Sequence, residues 1–256
     1  MPAAPRAASR VPPLPEAFTP GARRALTQAD PTLAAMMRRV GPFRLQLRPL
    51  HSPFAALAES IVYQQLHGRA AASIFARLSE RVGQGKHFTP QSLLATSEPV
   101  LREAGLSGAK AAALKDLALK TQAGAVPTLA QVRRLSDAEL IERFTQVRGI
   151  GQWTVEMLLI FRLGRPDVLP VDDYAIRKAF GRLVGLKESP RPREVLEYGE
   201  RWRPWRTVAS WYLWRSLELP EVQEAPSGEV SSEPHSRQAR SSSARTSSGS
   251  TARKSR

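Results

Sequence analysis

The sequence predicts a mostly α-helical protein, and three observations carry that prediction. Helix start signals recur: a capping hydroxyl precedes proline at Ser52-Pro53 and Thr89-Pro90, and Ser136 and Glu139 stand at capping-box spacing. Apolar residues between these signals return every three or four positions, the period that gives a helix one buried face. Alternating runs of β-branched residues are scarce, and PFRLQLRPL (42–50) is the one segment that reads as a strand.

Taken in order, the chain opens on MPAAPRAASRVPPLPEAFTPGAR, too rich in proline and too poor in core-forming residues to pack. Residues 1–24 are therefore expected to be disordered. Pro53 opens a helix through FAALAESIVYQQL, with Phe54, Leu57, Ile61 and Leu66 near one face. Thr89-Pro90 starts another at QSLLAT, and GAKAAALKDLALKTQAG reads as an amphipathic helix stopped by glycine. The helix begun at Ser136 runs to near Val147, and a second, apolar-faced helix follows Arg148-Gly149-Ile150-Gly151. Residues 221–256 contain eleven serines and almost no apolar residue, and read as a disordered tail.

The 256 residues suffice for one ordinary domain or two small lobes with a real core. Cysteine is absent, which excludes a disulfide framework, a thiolate zinc site, an iron–sulfur cluster and a cysteine nucleophile. Lys and Arg number 38 against 23 Asp and Glu, a net charge of +15, of which +10 falls on residues 25–220. A folded body this basic favours a polyanionic partner, because each neutralised phosphate releases condensed counterions. Lys110, Lys115, Arg102 and Arg69 are candidates for a basic face, against the plainer reading of a solvated surface. No apolar run approaches the ~20 residues that span a bilayer, so no membrane is expected. The expected location is the cytoplasm, in association with the nucleoid.

Helix, glycine hairpin, helix is a unit with clear physics. Glycines two apart permit turns that other residues resist, and leave N–H groups unshielded at a helix N-terminus, where the dipole favours a phosphate. Such a contact positions a strand and reads no base. About twenty residues further on stands Leu169-Pro170-Val171-Asp172-Asp173-Tyr174, whose aspartates by themselves suggest a helix cap. In this order, hairpin and then aspartates, the chain resembles the helix-hairpin-helix DNA glycosylase superfamily. The segments IVYQQLHGRAAASIFARL (61–78), GLSGAKAAALKDLA (105–118) and RWRPWRTVASWYLWR (201–215) resemble its alkyl-base branch, the 3-methyladenine DNA glycosylase II enzymes. The resemblance covers roughly residues 50–218.

The resemblance implies two helical lobes with an active-site cleft between them. Residues 52–165 would form the middle lobe, with the helix-hairpin-helix at 137–163, and 25–51 would join 166–220 in the terminal lobe. It also implies one catalytic aspartate, followed three positions later by an apolar residue that packs the next helix. From Asp173 that residue is Ile176 and from Asp172 it is Ala175, so Asp173 is the candidate and Asp172 the alternative. The other aspartate would cap the helix or neighbour the site. One carboxylate suits the chemistry, since cleaving an N-glycosidic bond builds positive charge on the sugar. Alkylpurines that are already cationic leave without much acid help.

Strand-cutting relatives carry a Schiff-base lysine two residues after the last hairpin glycine. That position is Trp153 here, which implies a monofunctional hydrolase. By match to the family motif Trp214 is the base-pocket wall, with Tyr174 and Trp153 as further candidates and Trp202 and Trp205 as structural residues. Leu66 falls where the family uses an apolar wedge, with Gln65 beside it on a base edge; helix-end packing is the other reading of Leu66. Arg148, Gly149, Ile150 and Gly151 are the implied DNA contacts. Arg148 stands where relatives often have proline, which would loosen the turn slightly and add a phosphate-seeking charge. The family's hairpin holds a monovalent cation, Na+ or K+, on backbone carbonyls, here those of Thr145, Val147 and Ile150. No catalytic metal or other cofactor is expected.

The expected function is excision of alkylated purines, 3-methyladenine foremost, from double-stranded DNA by a monomer, leaving an abasic site. Two other readings stay open: a non-catalytic helix-hairpin-helix DNA-binding protein, and a glycosylase for oxidised or mismatched bases. Duplexes with single lesions separate the three.

Overall fold

Proline in the first turn of a helix forfeits no hydrogen bond, because the amide it lacks would have no partner there. Several helices of the computed structural model, which describes residues 20–48, 50–83 and 88–220, begin in this way. The elements in order are α1 (Pro20–Ala29), α2 (Pro31–Val40), α3 (Pro53–Tyr63), α4 (Gly68–Gly83), α5 (Pro90–Ala95), α6 (Glu98–Glu103) and α7 (Gly108–Gln122). They continue with α8 (Leu129–Val132), α9 (Asp137–Thr145), α10 (Gln152–Phe161), α11 (Tyr174–Val184), α12 (Pro192–Gly199), a 3-10 turn at Glu200–Trp202, and α13 (Arg206–Ser216). The fold is all-helical, with no strand among the described residues.

The caps read from the sequence form. Ser52 Oγ accepts the amide of Ala55, Thr89 and Ser92 exchange bonds at the start of α5, and Glu139 Oε2 accepts the Ser136 amide at 2.8 Å. Gly124, with φ +74, follows the end of α7. Three expectations are corrected. Residues 20–24 are not disordered: they begin α1, where Ala22 and Leu26 are buried, since proline density lies ahead of the helix rather than in it. The rest of 1–19, and 221–256, lie outside the described residues. The described part of segment 42–50 is not a strand, because no partner strand exists among the described residues; residues 42–48 run extended, Leu45 is buried, and the Arg48 amide bonds the Phe161 carbonyl at 2.9 Å. The helix at 53 stops at Tyr63, short of Leu66.

The helices pack in two sets. In one, α3, α4, α5 and α6 gather around and beside α7; in the other, α1, α2, α11, α12 and α13 pack on one another, and α9 pairs with α10. A single apolar cluster runs through both, from Leu57, Ile61, Leu114 and Leu117 to Leu33, Met37, Tyr212 and Leu213. Asp30, 1% exposed, joins distant parts of the second set. Its Oδ1 caps α2 through the amides of Thr32 and Leu33, and its Oδ2 accepts the indole N–H of Trp202 at 2.8 Å. Trp202 is thus a core residue, with edge-type ring contacts to Phe180 and Tyr198 and its nitrogen on Asp30, as the sequence suggested. Among the described residues no helix is long and apolar enough to cross a membrane.

Candidate active site

The turn Pro170–Asp173, closed by a 3.1 Å bond from the Asp173 amide to the Pro170 carbonyl, delivers Asp173 to the start of α11. Tyr174 is the first helical residue, so Asp173 itself occupies the cap position, and its Oδ1 accepts the amide of Ile176 at 2.9 Å. The capping role offered to Asp172 therefore falls to Asp173, while Asp172 is exposed. Two indoles converge on the same carboxylate. Trp153 Nε1 donates to Oδ2 at 2.7 Å and Trp214 Nε1 donates to Oδ1 at 3.3 Å. Three donors from α10, α11 and α13 thus fix both oxygens, and among the described residues no cation pairs with the group.

Trp214 also forms a wall of a cavity of about 1020 Å³ between α3, α10, α13 and the extended segment 42–48. Its ring stacks on Phe161 with centroids 5.7 Å apart, and Met157, one turn earlier on α10, lines the same space with Trp211. Arg44, Arg48 and Arg215 stand among its lining residues. Of the three pocket candidates, Trp214 lines the cavity, and Trp153, 46% exposed, reaches the carboxylate. Tyr174 is 66% exposed at the first position of α11. Met157 and Phe161 escaped sequence reading, although they follow Trp153 at i+4 and i+8 on one helical face. Trp205, half-buried, stands at the start of α13 without a side-chain cap bond and packs against the apolar core, a structural place.

Glu156, three residues after Trp153 on α10, is a buried acid beside the site, 5% exposed, with the Gln152 side-chain amide donating to its Oε1 at 2.9 Å. Burial pushes its carboxyl above the usual glutamate value, and the charges of Asp172 and Asp173 push it further in the same direction.

The hairpin joins α9 to α10 through Arg148-Gly149-Ile150-Gly151. Gly149 takes φ +78, Ile150 is buried and its amide closes the turn on the Val147 carbonyl at 3.0 Å, while Gly149 and Gly151 are exposed. No side chain caps α10 at Gly151; the Thr154 amide bonds the Gly151 carbonyl at 3.0 Å, and the amides of Gln152 and Trp153 ahead of it are the ones a helix start offers to an anion. Arg148 does not loosen the turn. Its amide donates to Asp116 Oδ2 at 2.7 Å, a bond that proline has no hydrogen to make, and its side chain is exposed. Lys120 adds a second brace from α7, bonding the Gln146 carbonyl and Asp116 Oδ2.

The wedge candidate lies in the turn between α3 and α4. Gln65 adopts φ 57, the one positive φ outside glycine among the described residues, and both Gln65 and Leu66 are exposed, Leu66 at 39%. Gln64 Nε2 donates to the Gly149 carbonyl at 2.8 Å, which ties this turn to the hairpin. The expected basic face is thinner than the sequence suggested. Lys110 bonds the carbonyls of Val62 and Gln64, Lys115 those of Leu94 and Thr96, and Arg102 that of Leu106, while Arg69 is exposed.

Known proteins resemble this chain in sequence and fold. DNA-3-methyladenine glycosylase 1 of Schizosaccharomyces pombe is 39% identical over 197 residues, spanning 77% of this chain and 86% of that protein. A solved structure of an S. pombe 3-methyladenine DNA glycosylase in complex with abasic DNA superposes with a TM-score of 0.69 at 38% identity, covering 80% of this chain and all of that one. A DNA-3-methyladenine glycosidase structure from Bacillus halodurans gives a TM-score of 0.69 at 33% identity over 77% of this chain and 89% of that one. The model of the HhH-GPD superfamily base excision DNA repair proteins matches residues 58–204, across the wedge turn, the hairpin and Asp173, and the chain belongs to that superfamily.

Proposed function

We propose that the protein is a monofunctional DNA glycosylase that hydrolyses the N-glycosidic bond of alkylated purines, 3-methyladenine foremost, in duplex DNA. The observation that carries this reading is the carboxylate of Asp173, fixed by the indoles of Trp153 and Trp214 and lacking a cationic partner among the described residues. Its charge is then available to the sugar, where cleavage builds positive charge, and electrostatic stabilisation of that kind is a large catalytic effect. A purine turned out of the stack fits against Trp214 and Phe161, whose electron-rich faces attract a cationic ring by roughly 0.5–2 kcal/mol. Leu66 fills the gap left in the duplex and Gln65 meets a base edge, while the amides beside Gly149 and Gly151, with Arg148, hold a phosphate. The two helix sets act as two lobes, 52–165 and 25–51 with 166–220, and the protein works as a monomer. With Trp153 two positions after Gly151 no amine is placed there for a Schiff base, so borohydride traps no protein on DNA.

Carbonyls at the end of α9 suit a monovalent cation, since they form the negative end of its helix dipole and are hard oxygen donors. Thr145, Val147 and Ile150 would hold it, and it would stiffen the hairpin without joining the reaction.

Asp173→Asn tests the reading. Asparagine still caps α11, so the fold and DNA binding are retained, and base release from methylated duplex DNA falls by about 10²–10³-fold. Unchanged release by this variant refutes the assignment. Release of an uncharged oxidised base by the wild type, with little 3-methyladenine, favours the oxidised-base reading instead.

A further inference from the structure

The turn that presents Leu66 is held by more than its own backbone. α3 ends at Tyr63, and the last carbonyls of a helix have no partner inside it. Lys110, in the first turn of α7, sends its Nζ to the carbonyl oxygens of Val62 at 2.7 Å and Gln64 at 2.8 Å. An ammonium in that place meets both unpaired carbonyls and the negative end of the helix dipole. The next residue, Gln65, is in the left-handed region that a non-glycine residue enters at a cost of roughly 1–2 kcal/mol, so something must hold it there. The side chain of Gln64 meanwhile bonds the Gly149 carbonyl of the hairpin at 2.8 Å.

We propose that Lys110 is a positioning residue for base extrusion: it fixes the left-handed turn that presents Leu66 and, through Gln64, sets the wedge in register with the hairpin. The inference rests on the glycosylase reading, because opening a duplex needs the wedge and the strand grip at a constant separation. Lys110 is then a strut within the protein, with its bonds directed to carbonyls rather than to phosphate. Lys115 provides the control, since it satisfies the carbonyls at the end of α5 in the same manner but ties no wedge to the hairpin.

The test uses duplexes carrying one 7-methylguanine, either paired with cytosine or facing an abasic-site analogue, where the base is already loose. In single-turnover excision, Lys110→Met is expected to lose at least about tenfold on the paired lesion and to stay within about twofold of wild type on the unpaired one. Lys110→Arg restores most of the loss, and Lys115→Met affects both duplexes alike. A second readout needs no catalysis: 2-aminopurine beside an abasic-site analogue brightens as the wedge unstacks it, and saturating Lys110→Met leaves it dim. Should Lys110→Met not fold, Gln64→Ala, which cuts the link to Gly149, must show the same selective loss. Equal losses on both duplexes, or none on either, overturn the role of Lys110. A wild type that brightens 2-aminopurine yet releases neither 7-methylguanine from these duplexes nor 3-methyladenine from methylated duplex DNA refutes the glycosylase reading instead, while the fluorescence still decides for or against Lys110.

Discussion

At Asp173, Oδ1 serves the amide of Ile176 and the indole of Trp214 while Oδ2 serves Trp153, so one carboxylate both starts α11 and faces the cavity wall. Its buried neighbour Glu156 is one group through which pH acts on stability. The folded carboxyl titrates above its ordinary value of 4.5, chiefly through burial, so the folded state keeps this proton to higher pH than the unfolded chain does. The contribution of Glu156 is therefore fully present below pH 4.5 and is lost as pH rises through the folded value. Glu156→Gln, which keeps an acceptor for Gln152, is expected to melt at the same temperature as wild type at pH 4 and above it at pH 8. The gain should be a few degrees, because about 1 kcal/mol moves the midpoint of a domain this size by about 2–4 °C. Melting curves that run parallel across this range would show that Glu156 carries no such penalty.

The hairpin separates two uses of glycine within one element. Gly149 sits at φ +78 and an added Cβ there would lie 3.5 Å from Ala113 Cβ, so Gly149→Ala fits but is strained, with an expected loss of about 1 kcal/mol in chemical denaturation. Gly151 has φ −94 and open space around an added Cβ. Gly151→Ala should therefore leave stability within about 0.5 kcal/mol and lower DNA affinity several-fold, because its methyl takes the room a phosphate needs. Equal DNA binding by Gly151→Ala and wild type in a fluorescence titration would remove the hairpin from the DNA interface. Starts of elements were legible because capping chemistry is local: Ser52, Thr89 and Ser136 each satisfy amides within three residues. Ends were less so. Nothing in Tyr63-Gln64-Gln65-Leu66 is a helix breaker, and the stop is set by Lys110 and Gly149, 46 and 85 residues away from Gln64.

For the molecule as a whole, the +10 carried by residues 25–220 makes DNA affinity fall steeply with salt. Charge count alone overstates that slope, since several cations are spent inside the protein. Arg148→Ala is expected to reduce the slope of log K against log salt by about one, as for a lost phosphate contact, and Lys115→Met to leave it unchanged. Both follow from where the side chains go, Arg148 to solvent and Lys115 to the carbonyls of Leu94 and Thr96. Affinities measured from 50 to 300 mM salt check this, and equal slopes for the three proteins would count against the exposed arginine as a contact.

The sequence by itself determined the helical class, the capped starts, the glycine hairpin and the order of hairpin and aspartate, because each depends on residues close together along the chain. It also narrowed the acid to Asp172 or Asp173. Only the tertiary structure decided that the indoles of Trp153 and Trp214, 20 and 41 residues from Asp173, meet on that carboxylate. The tertiary structure likewise turned Lys110 and Lys115 inward, brought Met157 and Phe161 to the cavity, and began α1 at Pro20, so that residues 20–24 are helical where proline density suggested no structure. Those outcomes depend on which carbonyls and apolar faces lie across the fold, and a side chain's reach through space leaves no mark in its local spacing.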